Sequence, residues 1–253
     1  MKKPLSTLHT LVHDMLSVPQ GSVENEAVVL LHGLTRTEKS LLVLQEVLRY
    51  VGFHVVNHPY PSTEAPIEAL IPHVSDAVAQ CGDRKINFVT HSLGGILTRA
   101  WLAQNQLPNL GRVVMMGPPN KGSPVVAEYN NWAAFKYVGG PASHQLGIDA
   151  GSFPNRLGAV GFELGVIAGR RSINPFFSSV IEGEDDGTVS VESTRVEGMT
   201  DHITLPVTHT LMMMNPMVII QTVSFLRNGH FDHSVTFVDA VLRALPEKMT
   251  STK

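Results

Sequence analysis

Short runs of apolar residues alternate with helical patterns through most of this chain, and that alternation constrains the fold more than any other feature. Most of the runs are continuous, which is typical of strands buried on both faces of a parallel sheet. The predicted strands are Val28–Leu31, Phe53–Val56, Ile86–Val89, Val113–Met116, Val166–Ala168 and His202–Leu205. The sequence therefore predicts an α/β fold, a doubly wound and mostly parallel sheet of about six strands with right-handed crossovers. Sheets of this kind bind ligands at the carboxyl ends of their strands.

Several helix boundaries are also indicated by local residue types. Thr35 and Glu38 have the spacing of a capping box, which predicts that a helix begins there. Pro72 is expected to bend the helix of the second crossover. Asn215-Pro216 is typical of a helix start, because Asn caps well and Pro suits the first turn. A final helix is predicted over 235–245.

The regular alternation breaks down between residues 118 and 165, where prolines and glycines mix with aromatic residues. We expect this segment to be a cap or lid insertion within a single domain that spans 1–253. Its apolar side chains suit either the wall of a pocket or the core of the insertion itself. These side chains are Val125, Val126, Trp132, Phe135, Tyr137 and Phe153.

Composition narrows the classes of partner. The net charge is −3 and the basic residues are scattered, so nucleic acid is not an expected partner. One cysteine, Cys81, excludes an intrachain disulfide and any cysteine cluster for a metal. The first predicted strand leads into His32-Gly33, and neither G-x-G-x-x-G nor a Walker A loop occurs, which argues against a dinucleotide-binding protein. We expect no cofactor and no metal.

The amino terminus begins with a charged Met1-Lys2-Lys3, as signal peptides do, but His9, His13 and Asp14 interrupt the apolar stretch that a signal needs. No apolar run approaches membrane-spanning length. We expect a soluble protein, with the cytoplasm favoured and the periplasm or secretion open if a signal peptide has been removed. The oligomeric state stays open.

The pattern around Ser92 indicates a nucleophile. Thr90-His91-Ser92-Leu93-Gly94 resembles G-x-S-x-G, with threonine in place of the first glycine, and it lies between a predicted strand and a predicted helix. That context lifts a serine hydroxyl out of the backbone, where a histidine can take its proton. The backbone N–H groups of Leu93 and Leu34 are the candidates for an oxyanion hole. A serine that merely caps a crossover helix is the alternative.

The general base is sought among twelve histidines, and His209 fits best because it lies in a loop after the last predicted strand. His202 is the fallback. The acid is sought between Ser92 and His209, and residues 182–189 hold four carboxylates there. Asp186 is favoured because Gly187 follows it, and Asp185 is the alternative acid; the loop also suits a solvated turn or a weak calcium site.

Taken together, these motifs resemble the bacterial lipase and esterase branch of the α/β-hydrolases, which includes the PGAP1-like proteins. The similar segments are Val29–Leu34, Phe88–Gly95, Gly117–Ser123, Asp186–Val189 and Thr208–Thr210. The resemblance implies the α/β-hydrolase fold and hydrolysis of a small-molecule or lipid ester, without naming the substrate. An acyltransferase or thioesterase that uses the same residues remains an alternative, and so does a catalytically silent binding scaffold.

Overall fold

The computed structural model describes residues 23–129 and 132–235. Within these ranges it describes every side chain except those of residues 133–137. The sheet has six strands in the order β2-β1-β3-β4-β5-β6, and all five strand pairs are parallel. The predicted doubly wound sheet of about six strands is therefore confirmed. The strands are β1 (Glu26–Leu31), β2 (His54–Asn57), β3 (Lys85–His91), β4 (Leu110–Met116), β5 (Leu164–Gly169) and β6 (Asp201–Leu205).

Helices connect the strands. They are α1 (Leu42–Val51), α2 (Ile67–Leu70), α3 (Pro72–Ala79), α4 (Leu93–Gln104), α5 (Pro124–Tyr129), α6 (Ala133–Ser143), α7 (Phe153–Arg156), α8 (Pro175–Ser178) and α9 (Pro216–Asn228). Where Pro72 was expected to bend one helix, the structure has two, with α2 ending at Leu70 and α3 starting at Pro72. The Asn215 side chain caps α9 by accepting from the Met217 N–H. The helix predicted over 235–245 starts at the edge of the described range and otherwise lies outside it.

The predicted capping box at Thr35 and Glu38 is wrong. Thr35 has a φ of 58°, in the left-handed region, whereas a capping residue takes an extended conformation. The Arg36 N–H donates to the Gly33 carbonyl, so the chain first makes a tight turn. A short 3₁₀-helix, Glu38–Leu41, then leads into α1. The turn after β1 thus replaces the first helical turn that the spacing suggested.

Helices on both faces of the sheet explain why its strands are so apolar. Residues 27–31 of β1 have no exposed surface. Val28 and Leu30 belong to the core on the side of α1 and α9, while Val29 and Leu31 belong to the core that contains α2, α3 and α4. A strand with no solvated face has no reason to alternate apolar and polar residues.

The segment between β4 and β5 carries α5, α6 and α7. Leu164 and Gly165, which the sequence prediction placed at the end of the insertion, belong to β5. Within the described residues, no helix combines the length and the apolar character needed to cross a membrane.

Candidate active site

Ser92 occupies a strained turn between β3 and α4. Its φ of 51° and ψ of −118° are unfavourable for a residue with a side chain, and the close packing of the turn holds it there. A Cβ on Gly94 would lie 2.5 Å from the Leu31 carbonyl oxygen, so only glycine lets α4 pack this close to β1. The carboxyl end of the central strand therefore presents a serine hydroxyl in a backbone conformation that costs free energy to maintain.

A chain of hydrogen bonds joins Ser92 to His209 and Asp186. The Ser92 Oγ atom is 3.1 Å from His209 Nε2, and His209 Nδ1 is 2.7 Å from Asp186 Oδ2. The Asp186 side chain has no exposed surface, and its Oδ1 atom accepts from the backbone N–H groups of Thr188 and Val189. These two bonds orient the carboxylate so that Oδ2 faces the imidazole.

Asp185 lies next to Asp186 in sequence but its carboxylate has other partners. Its Oδ1 atom accepts from the Ser178 hydroxyl at 2.8 Å and from the Gly187 N–H at 2.7 Å. Glu184 forms an ion pair with Arg170 on the surface. Glu184, Asp185 and Asp186 therefore have separate partners, and Asp186 is the one that reaches His209.

The His91 side chain forms a hydrogen bond with the backbone of His209. Its Nε2–H donates to the His209 carbonyl oxygen at 3.0 Å, and the two rings are 4.7 Å apart. Burial, the positive charge that His209 can carry and the nearby Arg36 hold the pKa of His91 well below its usual value. A neutral ring with its proton on Nε2 fits this contact. Gly117, with a φ of 56°, passes so close that a Cβ there would lie 3.0 Å from His209 Nδ1.

His202, the fallback base, is not brought to Ser92. It lies in β6, and its Nε2 atom forms a hydrogen bond with Thr194 Oγ1 at 2.9 Å. Burial, followed by the charge of Arg195, lowers its pKa to about 4. The ring is therefore neutral at pH 7, and it links β6 to the loop before it.

The low pKa of His202 predicts an acid-side loss of stability. Between pH 6.5 and pH 4 the unfolded chain binds a proton at this ring and the folded chain does not, so the free energy of unfolding falls as the pH is lowered through that window. The full shift corresponds to about 3 kcal/mol, and partial exposure reduces our expectation to about 1–2 kcal/mol.

Urea unfolding of the wild type and of His202→Gln at pH 7 and pH 4.5 measures this effect. Between the two pH values, we expect the free energy of unfolding to fall by about 1–2 kcal/mol less in the variant than in the wild type. Equal losses in the two proteins would show that His202 does not contribute to acid sensitivity.

The two candidate oxyanion donors belong to two different segments, the serine turn and the loop after β1. Leu93 is the first residue of α4, where helical N–H groups have no partner within the helix, and Leu34 follows β1. Among the described residues, neither N–H is paired with an acceptor. The loop that carries Leu34 is held by Tyr60, which stacks on His32 at 4.2 Å and donates its hydroxyl to the His32 carbonyl.

Above Ser92 and His209 lies a cavity of about 500 Å³ with largely apolar walls. Four aromatic side chains pack on one another at its rim, with neighbouring ring centroids 4.8–6.2 Å apart: Tyr129, Trp132, Phe176 and Phe177. Other apolar wall residues are Leu34, Val125, Val126, Val138, Leu146 and Val189.

The apolar residues of the 118–165 segment thus divide between the two roles that the sequence left open. Val125, Val126 and Trp132 line the cavity, whereas Phe153 is buried in the core beside the sheet. The side chains of Phe135 and Tyr137 lie outside the described residues. Sequence analysis missed Phe176 and Phe177, although Asn174-Pro175 precedes them with the same helix-start signal as Asn215-Pro216, and Asn174 does cap α8.

Comparisons with known proteins identify the fold. The lipase BlEst2 of Bacillus licheniformis in its mature form is 20% identical over 82% of this chain and 92% of that chain, with a TM-score of 0.59. The metagenomic carboxyl esterase MGS0156 is 16% identical over 89% of this chain and 77% of its own, with a TM-score of 0.60. Phospholipase PlaB of Legionella pneumophila is 18% identical over 67% of this chain and 45% of its own, with a TM-score of 0.54.

No protein-family model and no curated protein sequence matches the chain. The structural similarities, at 20% identity or below, establish the fold and not the activity. The protein has the α/β-hydrolase fold, as the resemblance of its motifs implied.

Proposed function

We propose that this protein is a serine hydrolase that cleaves carboxylic esters through an acyl-enzyme on Ser92. The observation that carries the proposal is the chain of hydrogen bonds from Ser92 through His209 to Asp186, placed at the floor of an apolar cavity. A serine, its base and a residue that orients the base, all within hydrogen-bond reach, are the arrangement that nucleophilic catalysis requires.

Each of the three side chains has a defined role in this reaction. His209 takes the proton of the Ser92 hydroxyl as the oxygen attacks the ester carbonyl, and it then donates that proton to the departing alcohol. Asp186 holds the imidazole in the tautomer with hydrogen on Nδ1 and stabilises the imidazolium. A water molecule, deprotonated by the same histidine, releases the carboxylic acid and restores the serine.

The backbone N–H groups of Leu34 and Leu93 are proposed to stabilise the negative charge that develops on the carbonyl oxygen. They cost no rearrangement at the moment of reaction, because strained or tightly packed turns already hold both residues. The apolar walls of the cavity favour an ester with an apolar acyl or alcohol group. The structural neighbours, which are described as a lipase, an esterase and a phospholipase, also support an ester substrate.

Labelling with a fluorophosphonate, followed by peptide mapping, tests the proposal. We expect one covalent label, on the peptide that contains Ser92, together with hydrolysis of p-nitrophenyl esters. A native protein that takes no label and hydrolyses no ester would instead support a silent binding scaffold. Addition of a competing alcohol or thiol would reveal acyl transfer if a new ester or thioester accumulates.

The cavity also predicts a dependence on acyl length. Val126 on α5 lines the cavity, and replacing it with Phe fills part of the space above the serine. We expect Val126→Phe to lower kcat/KM for the octanoate ester of p-nitrophenol about tenfold more than for the acetate ester. A larger aromatic side chain strains neighbouring packing by about 1–3 kcal/mol, so folding is checked by thermal unfolding.

The acetate ester serves as the control within the same variant. An equal loss with both esters would show that the substitution acts on the serine turn or on stability. Unchanged kinetics with both esters would mean that the acyl chain lies elsewhere.

A further inference from the structure

Arg36 is an unusual residue in the wall of the cavity above Ser92. Of the described residues that line this cavity, it is the one that carries a permanent charge. Its position follows from the turn after β1, where Thr35 has a φ of 58° and the Arg36 N–H bonds to the Gly33 carbonyl. Arg36 thus borders the cavity from the same loop that carries the Leu34 N–H.

The Arg36 guanidinium has no counter-charge within the described part of the chain. It makes no salt bridge and no side-chain hydrogen bond there, although Arg112, Arg170 and Arg195 are each paired with a glutamate. The residue is half-buried, and its guanidinium nitrogens stay open to water and so to an incoming anion. An unpaired arginine binds phosphate or carboxylate well, because its planar donors match two oxygens at once.

The surroundings of Arg36 divide into an apolar side and a polar side. On one side is the cavity with its aromatic rim. On the other is an open depression that Arg36 and Thr35 share and that is lined mainly by polar residues, including Thr37 and Ser62. Glu38 and Glu64 line this depression but not the cavity that holds Ser92, so an anion is favoured on the cavity side of Arg36.

We propose that Arg36 binds an anionic group, a phosphate or a carboxylate, on the alcohol part of the ester substrate. This inference rests on the proposed function. The aromatic rim suits the acyl chain, which leaves the part of the cavity that Arg36 lines to the alcohol. Hydrolysis then adds water across the ester bond and releases an apolar carboxylic acid together with an anionic alcohol. Such substrates are amphiphilic, with the scissile bond between their apolar and charged parts.

Two matched pairs of octanoyl esters test the inference. The first pair is octanoyl glycerophosphate and octanoylglycerol, and the second is the ester of a carboxyphenol and the ester of the corresponding carbamoylphenol. Both pairs are used below the concentration at which they form micelles. The measured quantity is the ratio of kcat/KM for the anionic ester to that for its neutral counterpart, in the wild type, Arg36→Gln, Arg36→Lys and Lys39→Gln.

We expect the wild-type ratio to fall about tenfold or more in Arg36→Gln, mainly through KM, and to fall less in Arg36→Lys, which keeps the charge and loses the paired donors. Lys39 is an exposed cation of the following 3₁₀-helix that does not line the cavity, so Lys39→Gln is the matched control and should keep the wild-type ratio. The phosphate and carboxylate pairs show which anion the site prefers.

A ratio unchanged in Arg36→Gln, or lowered equally in Lys39→Gln, overturns the inference while ester hydrolysis itself stands. The proposed function fails separately, if no neutral or anionic ester is cleaved and no fluorophosphonate label attaches to the wild type.

Discussion

Ser92→Ala is expected to lower kcat for ester hydrolysis on the order of 10⁴- to 10⁶-fold and to abolish fluorophosphonate labelling. The alanine retains the backbone of the turn but removes the oxygen that His209 Nε2 contacts. Without that oxygen no acyl-enzyme forms, and the remaining acceleration comes from the oxyanion donors and from binding. Stopped-flow and long-time assays with a p-nitrophenyl ester measure the loss.

Ser123→Ala provides the control for this substitution. Ser123 is a buried serine of the same cavity, but its hydroxyl donates to the Thr188 carbonyl and takes no part in the contact with His209. We expect this variant to keep its fluorophosphonate label. If Ser92→Ala still took the label, or if its activity stayed within tenfold of the wild type, Ser92 would not be the nucleophile.

The second large effect is expected at Asp186, the proposed acid. Asp186→Asn should lower kcat about 10⁴-fold, because an amide can donate to His209 Nδ1 and so hold the imidazole in the wrong tautomer. Nε2 would then carry a proton and could not accept one from Ser92. Steady-state kinetics at pH 7 to 9 measures the change, and circular dichroism checks that the buried amide leaves the fold intact.

Asp185→Asn is the matched control for the acid. The same chemical change, one residue earlier, affects a carboxylate that accepts from Ser178 and from the Gly187 N–H. We expect it to alter kcat by less than about fivefold, since it weakens a loop contact of about 1 kcal/mol and leaves the imidazole in place. A larger loss in Asp185→Asn than in Asp186→Asn would reverse the assignment of the acid.

The sheet was predictable because its physical cause is local in sequence. A strand covered on both faces is apolar along its buried length, and residues 27–31 of β1 have that composition. The Asn-Pro start of α9 was predictable for a similar reason, since a side-chain cap involves only residues within one helical turn. The capping rule gave a wrong prediction at Thr35, because the tight turn after Gly33 sets the conformation of that residue before any helix begins.

The acid and the base posed a different difficulty. Asp185 and Asp186 have the same chemistry and adjacent positions, so the following glycine was the one local reason to prefer Asp186. What separates them in the structure is a set of contacts with distant or loop residues: Ser178 and Gly187 for Asp185, and Val189 and His209 for Asp186. The chain must fold before these contacts exist.

By itself, the sequence determined the alternation of strands and helices and the serine turn, because apolar pattern and tight turns depend on neighbouring residues. Only the tertiary structure decided which carboxylate faces His209, which apolar side chains surround the cavity, and that Arg36, unpaired among the described residues, lines the same cavity as Ser92. Those facts arise where segments separated by 50 or more residues come together at the end of the sheet. Arg36 and Ser92 line one cavity there, Ser92 contacts His209, and both arrangements depend on the packing of the whole molecule.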